Sequence, residues 1–290
     1  MSMVKTTLLL ATMTGILLAV GAAFGGRSGM TFALIMAGVM NFGALFWSDK
    51  IVLRMYKAQP VGPQEAPELY AMVERLSAKA GIPMPRLFII PGPALNAFAT
   101  GRSPKHAAVA ATEGLLAAMD GDELEGVLAH ELSHVLNRDT LVSTVAATIA
   151  GAISWVAHPF MLMGGGDDDS PNPIAAIAMM ILAPLAAMMV QMAVSRSREY
   201  GADETGAGLA GSPDGLARAL RKLHAAAPRI PMHAEPSTAH LFIVNPLSGR
   251  GFSSLFSTHP PLEDRVRRLL EMGGAASQPP YPPRGADSRG

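Results

Sequence analysis

Hydrophobic residues in this chain come in long runs rather than in the half-polar stripe of a soluble helix. No charged residue stands between Lys5 and Arg27, between Arg27 and Asp49, between Asp139 and Asp167, or between Asp169 and Arg196. Each gap exceeds the ~20 apolar residues an α-helix needs to cross a bilayer's hydrocarbon core. The pattern predicts four transmembrane helices, roughly Thr6–Phe24, Met30–Trp47, Leu141–Met163 and Ile174–Val194. The last two are rich in Ala and Met, and a buried helical hairpin is the alternative for them. The first has the outline of a signal sequence: Lys5, an apolar run, then small residues around Gly21–Ala23. A second apolar run follows almost at once, which favours an uncleaved anchor.

Between these runs the polar pattern changes period. Leu69, Met72, Val73 and Leu76 have helical spacing and precede Gly81, a helix stop. Arg86–Pro91 is a short apolar run bounded by prolines and reads as a strand; Asn96–Gly101 and His106–Thr112 read as two more, the former at an edge. Gln59–Pro67 reads as a proline-rich linker. Asp120 and Glu123 form a capping box that opens a helix. Residues 196–225 are helical with a break at Gly211, residues 226–257 loop-like, and Pro261–Met272 a final helix.

Lys and Arg placement orients the spans. Lys50, Arg54 and Lys57 follow the second, Arg138 precedes the third, and Arg196 and Arg198 follow the fourth. The turn between the first two has one Arg, and the connection between the last two has none. Residues 50–139 and 196–290 therefore face the cytoplasm. The expected organisation is two N-terminal transmembrane helices (1–58), the first part of a soluble domain (59–140), a transmembrane hairpin (141–194), the second part (195–272) and a disordered tail (273–290). Both termini are expected in the cytoplasm.

Composition narrows the chemistry. The net charge is zero, which gives no polybasic signature for nucleic acid. There is no cysteine, so any metal must be held by His, Asp or Glu.

The capped helix carries H-E-L-S-H at 130–134. His130 and His134 lie one turn apart on one face, where both imidazoles can reach one Zn²⁺. Glu131 sits beside the first ligand, off their common axis, positioned to take a proton from a water at the metal without ligating it. The apolar flanks V-L-A and V-L place the group in a buried helix, where it demands partners. A catalytic zinc site needs a third protein ligand. S-R-S-R-E-Y-G-A-D at 195–203 offers Glu199, with Asp203 four residues on and able to accept a hydrogen bond from the outer nitrogen of a ligand histidine. If the third and fourth spans form an antiparallel hairpin, their cytoplasmic ends bring His130, His134 and Glu199 together above the membrane.

H-E-L-S-H at 130–134, E-Y-G-A-D at 199–203 and N-A-F-A-T-G at 96–101, with two spans before the first and two between the metal motifs, resemble the HtpX family of bacterial membrane zinc metalloproteases, relatives of the CAAX prenyl endopeptidases. The resemblance runs from Thr6 to about Met272. It implies a mainly α membrane protein with four transmembrane helices and a cytoplasmic gluzincin-like α+β zinc protease domain in the bacterial inner membrane. It further implies one Zn²⁺ per subunit on His130, His134 and Glu199, Glu131 as catalytic base, and cleavage of damaged or misassembled membrane proteins in quality control and stress response.

S-T-H-P-P at 257–261 supplies His259, with Arg265 six residues later, and one of the two is a candidate to stabilise the oxyanion. The alternative is that His259 caps the last helix and Arg265 is a surface charge. Asn96, Ala97, Phe98 and Ala99 are the candidate substrate edge, able to take an extended peptide as an added strand; a loop packing Phe98 inward is the alternative. His106, His224, His233 and His240 show no ligand spacing and read as ordinary, and His158 as interfacial. A metal transporter is disfavoured because the spans carry almost no ionisable residue. A proteolytically silent chaperone or scaffold with a structural metal is disfavoured by the intact Glu131.

Overall fold

Gly26 divides the N-terminal apolar stretch. In the computed structural model, which describes residues 2–149, 196–232, 234–235, 237–244 and 260–276, helix α1 runs over Ser2–Met55 with a single non-helical residue, Gly26, at φ 54° and ψ −135°. Only glycine adopts that conformation freely, so the two expected spans join through one residue rather than a loop. The halves fold back antiparallel: Asn41 Nδ2 donates to Thr14 Oγ1 at 2.9 Å across the turn.

The stretch Gly26–Met55 is long and apolar enough to cross a membrane, and among the described residues it is the one helix that is. Phe32, Leu34, Ile35, Val39 and Phe42 are all exposed on it. A contiguous apolar face of this size requires lipid or a partner to cover it. Thr6–Ala19 is a shorter apolar helix, as is α5 (Asp139–Ile149), the described start of the third expected span. Leu141, Val142, Val145, Ala146 and Ile149 of α5 pack on Ala44, Met40 and Leu45 of α1. Residues 150–163 and the fourth expected span, Ile174–Val194, lie outside the described residues.

Beyond α1 the chain builds a small mixed sheet covered by helices. Strands β1 (Gln59–Val61), β2 (Arg86–Ile90), β3 (Ala97–Thr100) and β4 (Ala108–Thr112) stand in the order β1-β2-β4-β3. β2 and β4 are parallel; the two outer pairings are antiparallel. β1 corrects the expectation of a linker over Gln59–Pro67. Pro60 is tolerated there because the strand lies at an edge, where one row of backbone groups needs no partner. The helices are α2 (Pro67–Ala80), α3 (Glu113–Ala118), α4 (Gly121–Leu136), α6 (Arg196–Ala210), α7 (Asp214–Ala226) and α8 (Leu262–Ala276).

α4 is the central helix. Its start is fixed by the capping box: Asp120 accepts from the Glu123 N–H, and Glu123 accepts from the Asp120 N–H. Its apolar side chains Val127, Leu128, Leu132 and Val135 are fully buried. Burying each such leucine contributes about 1.5–3 kcal/mol, which anchors the helix against α2, α6, α7 and the sheet. Gly126 lets α7 approach, since a Cβ there would meet the Leu216 backbone nitrogen at 2.5 Å. Arg138 (φ 60°) turns the chain out of α4, and α5 starts at the next residue.

Candidate metal centre

One face of α6 meets one face of α4. Glu199, Asp203 and Gly206 follow at i, i+4 and i+7, so all three line the same stripe. Gly206 sets the separation: a Cβ on it would lie 3.0 Å from both the backbone nitrogen and the Cα of His130. The two backbones touch there, two turns along from Glu199.

That contact brings the three expected ligands together. His130 Nε2 and His134 Nε2 are 3.3 Å apart. Glu199 Oε2 is 3.9 Å from the first and its Oε1 3.6 Å from the second. One ligand atom from each residue lies within 4.8 Å of the others. Donors bound at about 2.0–2.1 Å around a tetrahedral ion stand about 3.4 Å apart, so the spacing fits with small adjustment.

The outer nitrogens explain why the inner ones need a cation. His130 Nδ1 is 3.0 Å from Asp203 Oδ1, and His134 Nδ1 is 3.5 Å from Asp139 Oδ2. An imidazole whose Nδ1 proton points to such a carboxylate presents its lone pair at Nε2, the tautomer a metal ligand requires. Two imidazole lone pairs and two carboxylate oxygens then converge on one point in a buried site. Such a set of acceptors repels itself unless a positive ion sits between them. The residues present fit a divalent metal.

Charge and burial tune the surroundings. Burial pushes the Glu131 carboxyl up to about 7, and the Ala99 backbone N–H, a hydrogen-bond donor to that carboxylate, works against the rise. Burial also lowers the pKa of His130, which keeps it neutral and available as a ligand. Desolvation would raise Asp203, yet Arg265 beside it holds the carboxyl at about 2.

Arg265 is buried, not a surface charge, and three of its five N–H donors are committed. Nε donates to Asp203 Oδ2 at 2.8 Å and Nη2 to Oδ1 at 2.7 Å, while Nη1 donates to the Ile243 carbonyl at 3.3 Å. A fork-shaped guanidinium matches a carboxylate in this way, and the geometry makes Arg265 a support for Asp203. Its nearest approach to a ligand is 3.9 Å, from Nη1 to Glu199 Oε2. His259 lies outside the described residues.

The candidate substrate edge divides. β3 is an edge strand of the sheet. The Asn96 side chain is buried and donates to the Val244 carbonyl at 2.9 Å. Phe98 is fully buried and stacks with Tyr56 and Phe242, ring centroids 6.0 and 5.3 Å away. The Ala97 carbonyl accepts from the Ile243 N–H at 3.2 Å. Strand alternation turns Phe98 into the core, so of the four residues Ala99 is the one that lines the cavity beside the metal ligands. That cavity measures about 30 Å³.

Two residues that the sequence reading passed over join the site. His240 lines the cavity with the ligands and bonds to the Ser143 carbonyl on α5 at 3.1 Å; no spacing from the ligands marked it. Asp139 backs His134 and also pairs with Arg198 at 3.4 Å. Its position five residues past His134, at the first residue after the α4 turn, was the available signal.

The model for peptidase family M48 matches residues 63–273. A protein named protease HtpX homolog from Desulfatibacillum aliphaticivorans is 57% identical over 295 aligned positions, covering 98% of this chain and 95% of that protein. A second protease HtpX homolog, from Syntrophobacter fumaroxidans, is 53% identical and covers 92% and 98% of the two chains. Among solved structures, the crystal structure of S. mikatae Ste24p superposes with a TM-score of 0.51 at 21% identity, over 92% of this chain and 64% of that one. That likeness concerns the fold.

Proposed function

The chain belongs to peptidase family M48 and is a metalloprotease, and from that premise we propose that it is a membrane-anchored zinc endopeptidase whose ligands are His130, His134 and Glu199. The observation that carries this reading is the convergence of a ligand atom from each of two imidazoles and a carboxylate to within 4.8 Å of one another, with Glu131 one residue from the first ligand. Among divalent metals, zinc is the one that a His₂Glu set most often serves in hydrolases.

When bound, the ion supplies Lewis acidity: it polarises the scissile carbonyl and acidifies a water. Glu131 removes the water's proton and returns it to the leaving amine. Burial, which disfavours the charged carboxylate, helps Glu131 to take up the proton that it then passes on. Asp203, clamped by Arg265, and Asp139 fix the ring orientation of the two histidines. With Arg265 committed to Asp203, His259 is the proposed donor to the oxyanion. The extended substrate lies along the outer edge of β3 at Ala99, beside the base, and residues 241–244 must shift from that edge to admit it.

The relatives are named proteases HtpX, and the apolar, lipid-demanding face of α1 supports a membrane protease. The finer reading has four spans, both termini and the catalytic domain in the cytoplasm of a bacterium, and damaged or misassembled membrane proteins as substrates. The positions of Lys50, Arg54 and Lys57 after Trp47 support that orientation.

The test uses the full chain in detergent. One zinc per chain, cleavage of casein or a model membrane protein, inhibition by 1,10-phenanthroline, and loss of cleavage in Glu131→Gln with zinc retained are the expected results. Protein that holds zinc and cleaves neither substrate would turn the assignment toward a silent scaffold.

A further inference from the structure

The loop between β3 and β4 is pinned at the level where α5 begins and α1 nears its end. Thr140 Oγ1, in the first turn of α5, donates to the Gly101 carbonyl at 2.9 Å. The next residue, Leu141, belongs to the same apolar cluster as Ala44 and Leu45 of α1. Arg102 lies over the Phe46 ring, its Cζ 4.8 Å from the centroid. Phe46 and Trp47 are both exposed here, as aromatic residues are at a membrane–water boundary.

Between this loop and α1 is a cavity of about 310 Å³. Phe46, Lys50, Arg86, Arg102, Lys105 and His106 line it. Among the described residues one carboxylate faces these cations, and it is taken: Asp49 Oδ2 accepts from Arg86 Nη2 at 2.6 Å. Among the described residues Lys50, Arg102 and Lys105 have no carboxylate partner. Arg102 and His106 stay together through a 3.1 Å contact from Nη2 to Nε2, with Ser103 Oγ 3.0 Å from the other ring nitrogen. This organises the loop but neutralises nothing.

The geometry points to a binding site for the phosphate headgroup of an anionic phospholipid in this cavity. Four cations against one paired carboxylate select an anion. A lipid is favoured over a soluble phosphate because Phe46 lines the cavity, and the exposed residues Phe42, Val39 and Ile35 continue from it at helical spacing along α1. An acyl chain from a headgroup held by Arg102 and Lys105 would run along that track. Basic pockets beside transmembrane helices recognise headgroups in this manner. The lining residue nearest a metal ligand in sequence, Ala107, precedes His130 by 23 residues, and the proposal rests on the reading that Gly26–Met55 is in the bilayer.

Trp47 beside the cavity provides the measurement. The chain has two tryptophans, so full-length Trp155→Phe protein in liposomes reports from Trp47 alone. Brominated phosphatidylglycerol is expected to quench Trp47 with an apparent affinity at least about fivefold above brominated phosphatidylcholine, the scale of one surface cation. Arg102→Gln with Lys105→Gln should bring the two lipids level. Lys50→Gln with Lys105→Gln, which spares the Arg102–Phe46 contact, should narrow the preference even if the first pair lowers the unfolding temperature. Equal quenching in the parent protein, or a preference untouched by both pairs, overturns the proposal. Displacement of phosphatidylglycerol by inorganic phosphate at constant ionic strength would assign the cavity to the soluble anion and also overturn it. Quenching by neither lipid would remove α1 from the bilayer and sink both this proposal and the membrane reading, whereas equal quenching leaves the latter standing.

Discussion

Arg265 closes on Asp203 through two hydrogen bonds, at 2.8 and 2.7 Å, and Asp203 in turn lies 3.0 Å from the outer nitrogen of His130. Through this chain α8, which carries no metal ligand, reaches the metal site.

Breaking that relay should weaken metal binding without removing a ligand. Asp203→Asn is expected to lower zinc affinity about 10–100-fold, read by competition with a chromophoric chelator. Arg265→Leu leaves the buried Asp203 carboxylate without its guanidinium counter-charge and should destabilise the fold by about 3–5 kcal/mol, seen in denaturant unfolding. The double variant Asp203→Asn with Arg265→Leu should cost less than the two single changes together. Additive costs would show that the pair is not coupled.

Glu131→Gln separates base from ligand. Metal content measured by atomic absorption should be unchanged, while the cleavage rate falls by about 10²–10⁴-fold or more. Loss of zinc from this variant would mean that Glu131 belongs to the ligand set.

Removal of the metal should be visible as lost stability. An ion that binds the folded state alone, present at 100 times its Kd, adds about 2.7 kcal/mol. Chelation should lower the unfolding temperature, and added Zn²⁺ should restore it. Glu199→Ala should blunt both responses.

Gly206 is the spacer between the ligand helices. Gly206→Ala inserts a methyl 3.0 Å from the His130 backbone, and overpacking of this kind costs about 1–3 kcal/mol. Because α6 must move away from α4, zinc affinity should fall as well. Gly208→Ala on the same helix, whose added Cβ meets nothing within 4 Å, should do neither.

Tyr56 links the end of α1 to the protease fold. Its ring is 5.0 Å from Phe242 and 6.0 Å from Phe98, and its hydroxyl bonds to Thr238. Tyr56→Phe should cost about 1 kcal/mol for the lost hydrogen bond and Tyr56→Ala about 3–5 kcal/mol for the cavity. Both are read from thermal unfolding of the full chain in detergent.

Local patterns carried a large part of this protein. The capping box at Asp120, the apolar flanks that bury α4, the i, i+4 histidines and the i, i+4 pair Glu199 and Asp203 are all legible because helical periodicity and capping depend on residues within one or two turns. The charge-free runs marked α1 for the same reason. What tertiary structure decided involves partners far apart in sequence. Gln59–Val61 became a strand because β2 offered an edge, and Phe98 turned inward because Tyr56 and Phe242 were there to receive it. The Arg265 guanidinium found Asp203, 62 residues away. Asp139 and His240 entered the site from the first residue of α5 and from a single 3₁₀ turn, Ala239–Leu241, neither of which has a period that points at the ligands. A sequence displays which groups are able to bind a metal; which carboxylate backs which imidazole depends on how closely α4 and α6 pack, and that distance exists only in the folded chain.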